Sequence, residues 1–385
     1  MSSDIRLLFA GDFSPRDVLT DKIEEGNFID IFKEVHPIVK ESDFAIVNLE
    51  SPIINELHEA KPTPKTGPNL KCSQKAIDAL VYAGFNMVTL ANNHFYDYGE
   101  TGVQNTLNAC KGKLDTIGGG VSLHDAAQPV RKTIKEKSFT FINCCEHEFS
   151  IATAHSGGSN PLNPFVIYNQ IQEAKRRQDK VIIIVHGGRE MFQYPTPRMK
   201  ETYRFFIDAG ADVVINHHQH CCCGFEEYNK GLIFYGIGNF CFYNKRYAND
   251  LWNFGYLVEL MFQEENISYT IHPFKQCSDK IGVFPLKDSE LESFNSKIKE
   301  LSTAIQDDNI LSSKLLDFVN SSGKDPLVVF EPYSNRLFST MRRRKLLPSF
   351  LSQKKKNQIL AKLQCESHHD CIMAALLKKG DNNSL

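Results

Sequence analysis

Five short apolar runs recur along the chain, and each ends on residues able to bind a metal. Ile5–Ala10 leads into Gly11-Asp12, and Phe44–Asn48 into Leu49-Glu50. Asn86–Leu90 leads into Ala91-Asn92-Asn93-His94, and Val181–Val185 into His186-Gly187-Gly188. Val213–Ile215, after the turn signal Ala209-Gly210-Ala211, leads into Asn216-His217-His218-Gln219-His220. Apolar runs of this length between turn signals read as buried strands. Helical spacing fills the gaps: Phe28–Lys40 with Ile31, Phe32, Val35 and Ile38 on one face, Ser73–Ala83 closed by Gly84, Thr101–Cys110, Asn169–Gln178 and Arg198–Asp208. Alternating strands and helices imply an α/β fold with a largely parallel central layer. In such sheets ligands bind beyond the carboxyl ends of the strands, so all five runs deliver their polar groups to one rim.

The residues at that rim are Asp12, Glu50, Asn93, His186, His218 and His220. Carboxylates and imidazoles together suit one or two divalent transition ions, Mn, Zn or Fe. In an extended backbone residues two apart point the same way, so His218 and His220 aim at one spot and His217 faces away. Taken alone, the His217–His220 stretch reads equally as surface histidines in a loop. Five strand ends in succession favour the metal. A carboxylate bridging two ions roughly 3.5–4 Å apart would activate water for hydrolysis.

Other classes are disfavoured. A net charge of −2 over 385 residues gives no basic field for nucleic acid. No run of 18 apolar residues exists to form a transmembrane segment, and the N-terminus has no signal-peptide core. Eleven cysteines include the doublet Cys144-Cys145 and the triplet Cys221–Cys223, which are awkward to bridge within one chain. They predict structural thiols in a reduced, cytoplasmic protein.

The character changes after about Ser278. Residues 1–280 read as the main domain and 281–385 as a helical appendage. Asp288–Val319 is a long amphipathic pattern with a break near Asp307-Asp308-Asn309. The tail is basic at Arg342–Lys345 and Lys354–Lys356, with helical segments at Gln358–Leu363 and Ile372–Lys379. It reads as a solvated helix face, or as a surface for a protein partner or a membrane.

An ordered set of motifs spans residues 5 to 260. It comprises Gly11-Asp12, Asn48-Leu49-Glu50-Ser51-Pro52, Ala91–His94 with Asp97-Tyr98-Gly99, and His186–Glu190. Pro195–Arg198, Ala209–His220 and Gly238-Asn239-Phe240 complete it. In these the chain resembles the CapA family of poly-γ-glutamate capsule biosynthesis proteins, itself similar to calcineurin-like metallophosphoesterases. The resemblance implies a metallophosphatase-like αββα sandwich with the helical appendage added. It implies that Asp12 and His220 hold one ion, that Asn93, His186 and His218 hold the other, and that Glu50 bridges. His94 would stand where the superfamily keeps its general acid, with Asp97 beside it. The usual Asp-x-His reads Asp12-Phe13-Ser14 here, so the first ion lacks the histidine of that motif. His186-Gly187-Gly188 replaces the common His-Trp-Gly, which predicts a wider pocket.

The function implied is a metal-dependent hydrolase acting on an anionic polymer or its precursor, or on a small-molecule substrate. The alternative is a non-catalytic accessory protein that binds polymer or a synthase and keeps the metal for structure. His94 reads as a catalytic acid or as a group orienting Asp97 or a ligand. Arg198, opening a helix after two prolines, reads as a carboxylate or phosphate clamp or as a surface residue. Glu190 binds substrate or forms a loop salt bridge. Lys65 reaches substrate from a Gly-Pro loop or is solvated. The loop from Glu146-His147-Glu148 to Asn163 reads as a substrate lid.

Overall fold

Asp12 sits near the end of the strand that organises the molecule, β1 (Ile5–Phe13). After it come β2 (Phe44–Leu49), β3 (Met87–Thr89), β4 (Asp115–Ile117), β5 (Gly119–Gly120), β6 (Val130–Ile134), β7 (Lys137–Cys145), β8 (Gly158–Ser159) and β9 (Lys180–His186). The rest are β10 (Val213–His217), β11 (Phe225–Tyr228), β12 (Gly231–Phe234), β13 (Asn239–Cys241), β14 (Phe254–Phe262), β15 (Ile267–Gln276) and β16 (Val283–Pro285). The structure is a computed structural model that describes residues 4–55, 60–247, 250–264, 266–321, 326–332, 335–344, 346–365, 367–369 and 371–372.

Two sheets form. The first has the order β16-β15-β14-β1-β2-β3-β4, with β13 alongside β1; the second runs β11-β12-β10-β9-β7-β6. β1 to β4 are parallel, as are β7, β9, β10 and β12, while β14, β15 and β16 join antiparallel. The sheets meet face to face: Phe44 stacks on Phe141 at 5.9 Å between ring centroids, and Phe139 meets Phe262 edge-on at 4.9 Å. Strand alternation then requires a second apolar layer outside each sheet. On β1, Leu8 and Ala10 turn outward into a cluster with Leu19, Ile23, Phe32 and Leu80 from the flanking helices. Helices Pro164–Arg176 and Pro197–Asp208 cover the second sheet, burying Ile171 and Phe206. Each buried Leu, Ile or Phe among them stabilises the fold by about 1.5–3 kcal/mol. The result is the αββα sandwich.

The expected helix at 28–40 is two short ones, Phe28–Phe32 and His36–Lys40, with Pro37 in the first turn of the second. Proline lacks the N–H that would continue the first helix, so it starts a new one.

Contacts divide the chain into Met1–Ser312 and Ser313–Leu385. Helix Asp288–Ile305, grouped by composition with the appendage, falls in the first unit. Phe225 N donates to Ser302 Oγ at 3.0 Å, and Gly224 lies so close to Leu301 and Ser302 that a Cβ would come within 2.5 Å of Ser302 N. The break near Asp307 is present, with Asp307 Oδ1 accepting from Asn309 N and Ile310 N to start the next helix, Asp308–Ser321. The second unit holds helices Arg336–Arg343 and Gln353–Gln364. Buried Glu331 there accepts hydrogen bonds from Arg342, Ser349 and Phe350 N. The helix expected at 372–379 lies, beyond 372, outside the described residues. Among the described residues no helix is long and apolar enough to cross a membrane. The cysteines are free thiols, nine of them buried.

Candidate metal centre

Glycine sets the position of Asp12. The register between β1 and β2 shifts after Ala10, at Gly11, where the carbonyl oxygen of Gly238 would stand 1.9 Å from a Cβ. Only a residue without Cβ lets the chain leading into β13 come this close. Asp12 then lies beside Asn48 on one side and Asn239 on the other, fully buried. Asn48 Nδ2 donates to Asp12 Oδ1 at 2.7 Å, and His218 N donates to Oδ2 at 3.2 Å. In the other sheet His186 on β9 pairs with His217 on β10.

The strand alternation read from sequence fails at His217. It does not face away: its Nδ1 lies 3.4 Å from Asp12 Oδ1. The reason is backbone. His218 and His220 take φ of 85° and 54°, so the extended pattern stops at His217 and the following histidines curl over the same rim.

Two groups of donors share one carboxylate. Asp12, Glu50 and His220 form one and Glu50, His186 and His218 the other, each with ligand atoms within 4.8 Å of one another, and all of them buried. His220 Nε2 lies 3.6 Å from Glu50 Oε1, and His186 Nε2 lies 3.9 Å from the same oxygen. His186 Nε2 is also 3.1 Å from His218 Nδ1 and 3.1 Å from Asn93 Oδ1. Asn239 Oδ1 lies 2.9 Å from His220 Nδ1; a bond there orients the ring with Nε2 toward Glu50.

Glu50 is the telling member. Both of its oxygens are buried and neither has a hydrogen-bond partner among the described residues. A buried carboxylate left this way costs several kcal/mol unless a cation or proton joins it. Burial, with Asp12, Glu190 and Asp97 adding like charge, pushes the Glu50 carboxyl well above the usual range, against the pull of His220. Burial works the other way on His220, yet Glu50 and Asp12 raise it to about 10. His186 is held well below the usual imidazole range by burial and His218, and His218 is lowered by burial and His220. The donor set fits divalent transition ions: carboxylate and neutral imidazole, closely spaced, with one carboxylate common to both groups.

His94 borders this cluster. Its Nε2 lies 3.9 Å from Glu50 Oε1, and its Nδ1 is 2.7 Å from Asp97 Oδ2. Lys65 is not a solvated rim cation. Its side chain is 2% exposed, its ammonium bonds Asp97 Oδ1, and it lies 3.1 Å from His94 Nδ1. Asp97 also accepts from Leu70 N at 2.6 Å, so one carboxylate gathers a lysine, a histidine and a loop amide. Burial lowers His94, Asp97 raises it and Lys65 lowers it again; the net shift is downward.

Glu190 and Arg198 are exposed. The charge of Glu190 reaches Glu50, His218 and His220, whereas Arg198 acts on Glu146 and His147. The pocket expected beside Gly187 is filled. A Cβ there would come within 2.7 Å of Glu146 Cγ, so the glycine makes room for a glutamate rather than for substrate.

Sequence reasoning did not find Asn48, Asn239 or Glu148 at this centre. Asn48 and Asn239 stand inside the motifs, and their place beside Asp12 in the register is the signal for a role. Glu148 has no such signal, because it arrives on a loop from the other sheet.

The sequence profile of the bacterial capsule synthesis protein PGA_cap matches residues 6–244. The chain belongs to the PGA_cap family. Every donor of the centre lies inside the matched segment. The chain is 34% identical over 221 residues to the capsule biosynthesis protein CapA of Bacillus anthracis, covering 55% of this chain and 53% of that one. It is 31% identical over 241 residues to the PGA biosynthesis protein CapA of Bacillus subtilis (strain 168), covering 61% and 62%. The aligned part thus spans half to three fifths of the length of these curated relatives. Among solved structures, a 5'-nucleotidase precursor from Thermus thermophilus is similar with a TM-score of 0.43 and 9% identity, over 79% of this chain and 60% of that one. A score of that size carries no argument about the site.

Proposed function

We propose that this PGA_cap protein is a metal-dependent hydrolase acting on an anionic polymer, such as poly-γ-glutamate, or on its precursor. The observation that carries the reading is Glu50, a buried carboxylate without a hydrogen-bond partner among the described residues, at the junction of two donor groups. Asp12 and His220 would hold one divalent ion, Asn93, His186 and His218 the other, and Glu50 both. Bound there, such ions would supply Lewis acidity toward a phosphoryl or carbonyl oxygen and lower the proton affinity of water.

The chain's own residues do the rest. Asp12 is fixed by Asn48 and the His218 amide, so its carboxylate cannot turn away. Asp97 accepts from His94 Nδ1–H, which leaves Nε2 facing the centre. His94 acts as the acid in its imidazolium form: Nε2–H gives its proton to the leaving group, while Nδ1–H stays bonded to Asp97. Lys65 satisfies the other oxygen of Asp97 and weakens the hold of that carboxylate on the charged form, so the imidazolium gives up its proton more readily. Arg198 and Glu190, both exposed, are the substrate contacts in this reading. The names of the Bacillus relatives point to capsule polymer as the substrate class.

The test uses purified protein loaded with Mn²⁺ against a panel of phosphoesters and γ-glutamyl peptides. Turnover that a chelator abolishes is the expected result. A protein that carries metal yet turns over nothing in the panel would instead be an accessory protein that binds polymer or a synthase.

A further inference from the structure

Glu148 lies on the loop after β7, in the sheet opposite Asn93, and its carboxylate meets the centre from outside. Its Oε2 accepts from Asn93 Nδ2 at 2.8 Å, while Oε1 lies 4.0 Å from His218 Nε2. An asparagine amide can present either its oxygen or its NH₂ to a cation, and only the oxygen binds one. With the NH₂ held by Glu148, Asn93 Oδ1 is left facing His186 Nε2 at 3.1 Å.

The loop is held in place by the Gly187-Gly188 turn. Glu146 N donates to the His186 carbonyl at 3.0 Å, and Glu148 N to the Glu146 carbonyl at 3.0 Å. The Glu146 side chain occupies the space that a Cβ at Gly187 would need, which would come within 2.7 Å of its Cγ. The strand that ends in His186 therefore also sets where Glu148 stands.

We infer that Glu148 is a positioning residue for the ion held by Asn93, His186 and His218: it fixes the amide of Asn93 with its oxygen toward the ion. This rests on the metal-centre reading above. Outer groups that orient a ligand typically change metal affinity by about 10–100-fold when removed. Because the role needs only a hydrogen-bond acceptor, a glutamine in place of Glu148 should serve nearly as well as the carboxylate.

The experiment is a calorimetric Mn²⁺ titration of the full chain, following the step that His218→Ala abolishes. Glu148→Ala should weaken that step by about 10–100-fold, and Glu148→Gln should restore most of it. In an Asn93→Ala background, Glu148→Ala should have no further effect, since the two residues act as one unit. Glu148 is partly exposed, so each variant is expected to fold, and circular dichroism checks this. A Glu148→Ala protein that titrates like wild type overturns the inference. So does an undiminished effect in the Asn93→Ala background, which would make Glu148 a direct ligand. Wild type that takes up no Mn²⁺ overturns the metal centre itself, a failure distinct from either.

Discussion

Glu50 Oε1 stands 3.6 Å from His220 Nε2, yet neither oxygen of this buried carboxylate accepts a hydrogen bond from the described residues. A fold seldom tolerates such a group without a functional return. The folded-state pKa of Glu50 is raised, so above the unfolded value of about 4.3 folding must either take up a proton or bury a charge. Glu50→Gln should therefore be more stable than wild type in chelator at pH 8, by about 1–3 kcal/mol. The gain should vanish near pH 4, where the carboxyl is largely protonated in both states. Adding Mn²⁺ should reverse the order. Thermal melts at the two pH values, with and without metal, check this.

Metal uptake should release protons. Without a cation His220 holds its proton up to about pH 10 and Glu50 is also shifted upward. Ligands must lose those protons to bind. Affinity should rise with pH between 6 and 8, about tenfold per unit for each proton displaced. Calorimetry in two buffers of different ionisation enthalpy counts the protons directly.

Loss of His94 should leave the metals in place and remove turnover. General acid catalysis contributes about 10²–10⁴-fold, and His94→Ala should lose that much on a substrate with a poor leaving group. The loss should shrink for nitrophenyl esters, whose leaving group needs no proton. Full turnover on the poor substrate would reduce His94 to a residue that orients Asp97.

Much of the centre was legible in the chain. Apolar runs ending in Asp12, Glu50, Asn93, His186 and His218-Gln219-His220 could be placed on one rim because parallel strands expose the same end. What escaped depended on contacts far apart in sequence or on local backbone. His217 turns inward because His218 adopts a positive φ, which alternation cannot foresee. Lys65 is buried by a loop that folds back onto Asp97, 32 residues on. Gly187 opens a space that Glu146, from the end of another strand, then fills. Glu148 shares no motif with Asn93, to which it bonds.

The two ion positions should differ in affinity. Ser14, two residues after Asp12, is buried and bonded to Ser51 at 2.6 Å, so this strand brings no imidazole to the first position. His217 approaches Asp12 instead, but at Oδ1, whereas His220 lies beside Oδ2. A Mn²⁺ titration should show two unequal steps, and His217→Ala should weaken the looser one further. Two equally tight sites would contradict this.

Metal content of the purified protein tests the central claim most directly. Protein prepared without chelator should carry up to two transition ions per chain by elemental analysis. His218→Ala and His186→Ala should each lose most of one equivalent, and Glu50→Ala should lose both, with circular dichroism unchanged. Metal content that stays at the wild-type level in His218→Ala and His186→Ala alike would contradict the account.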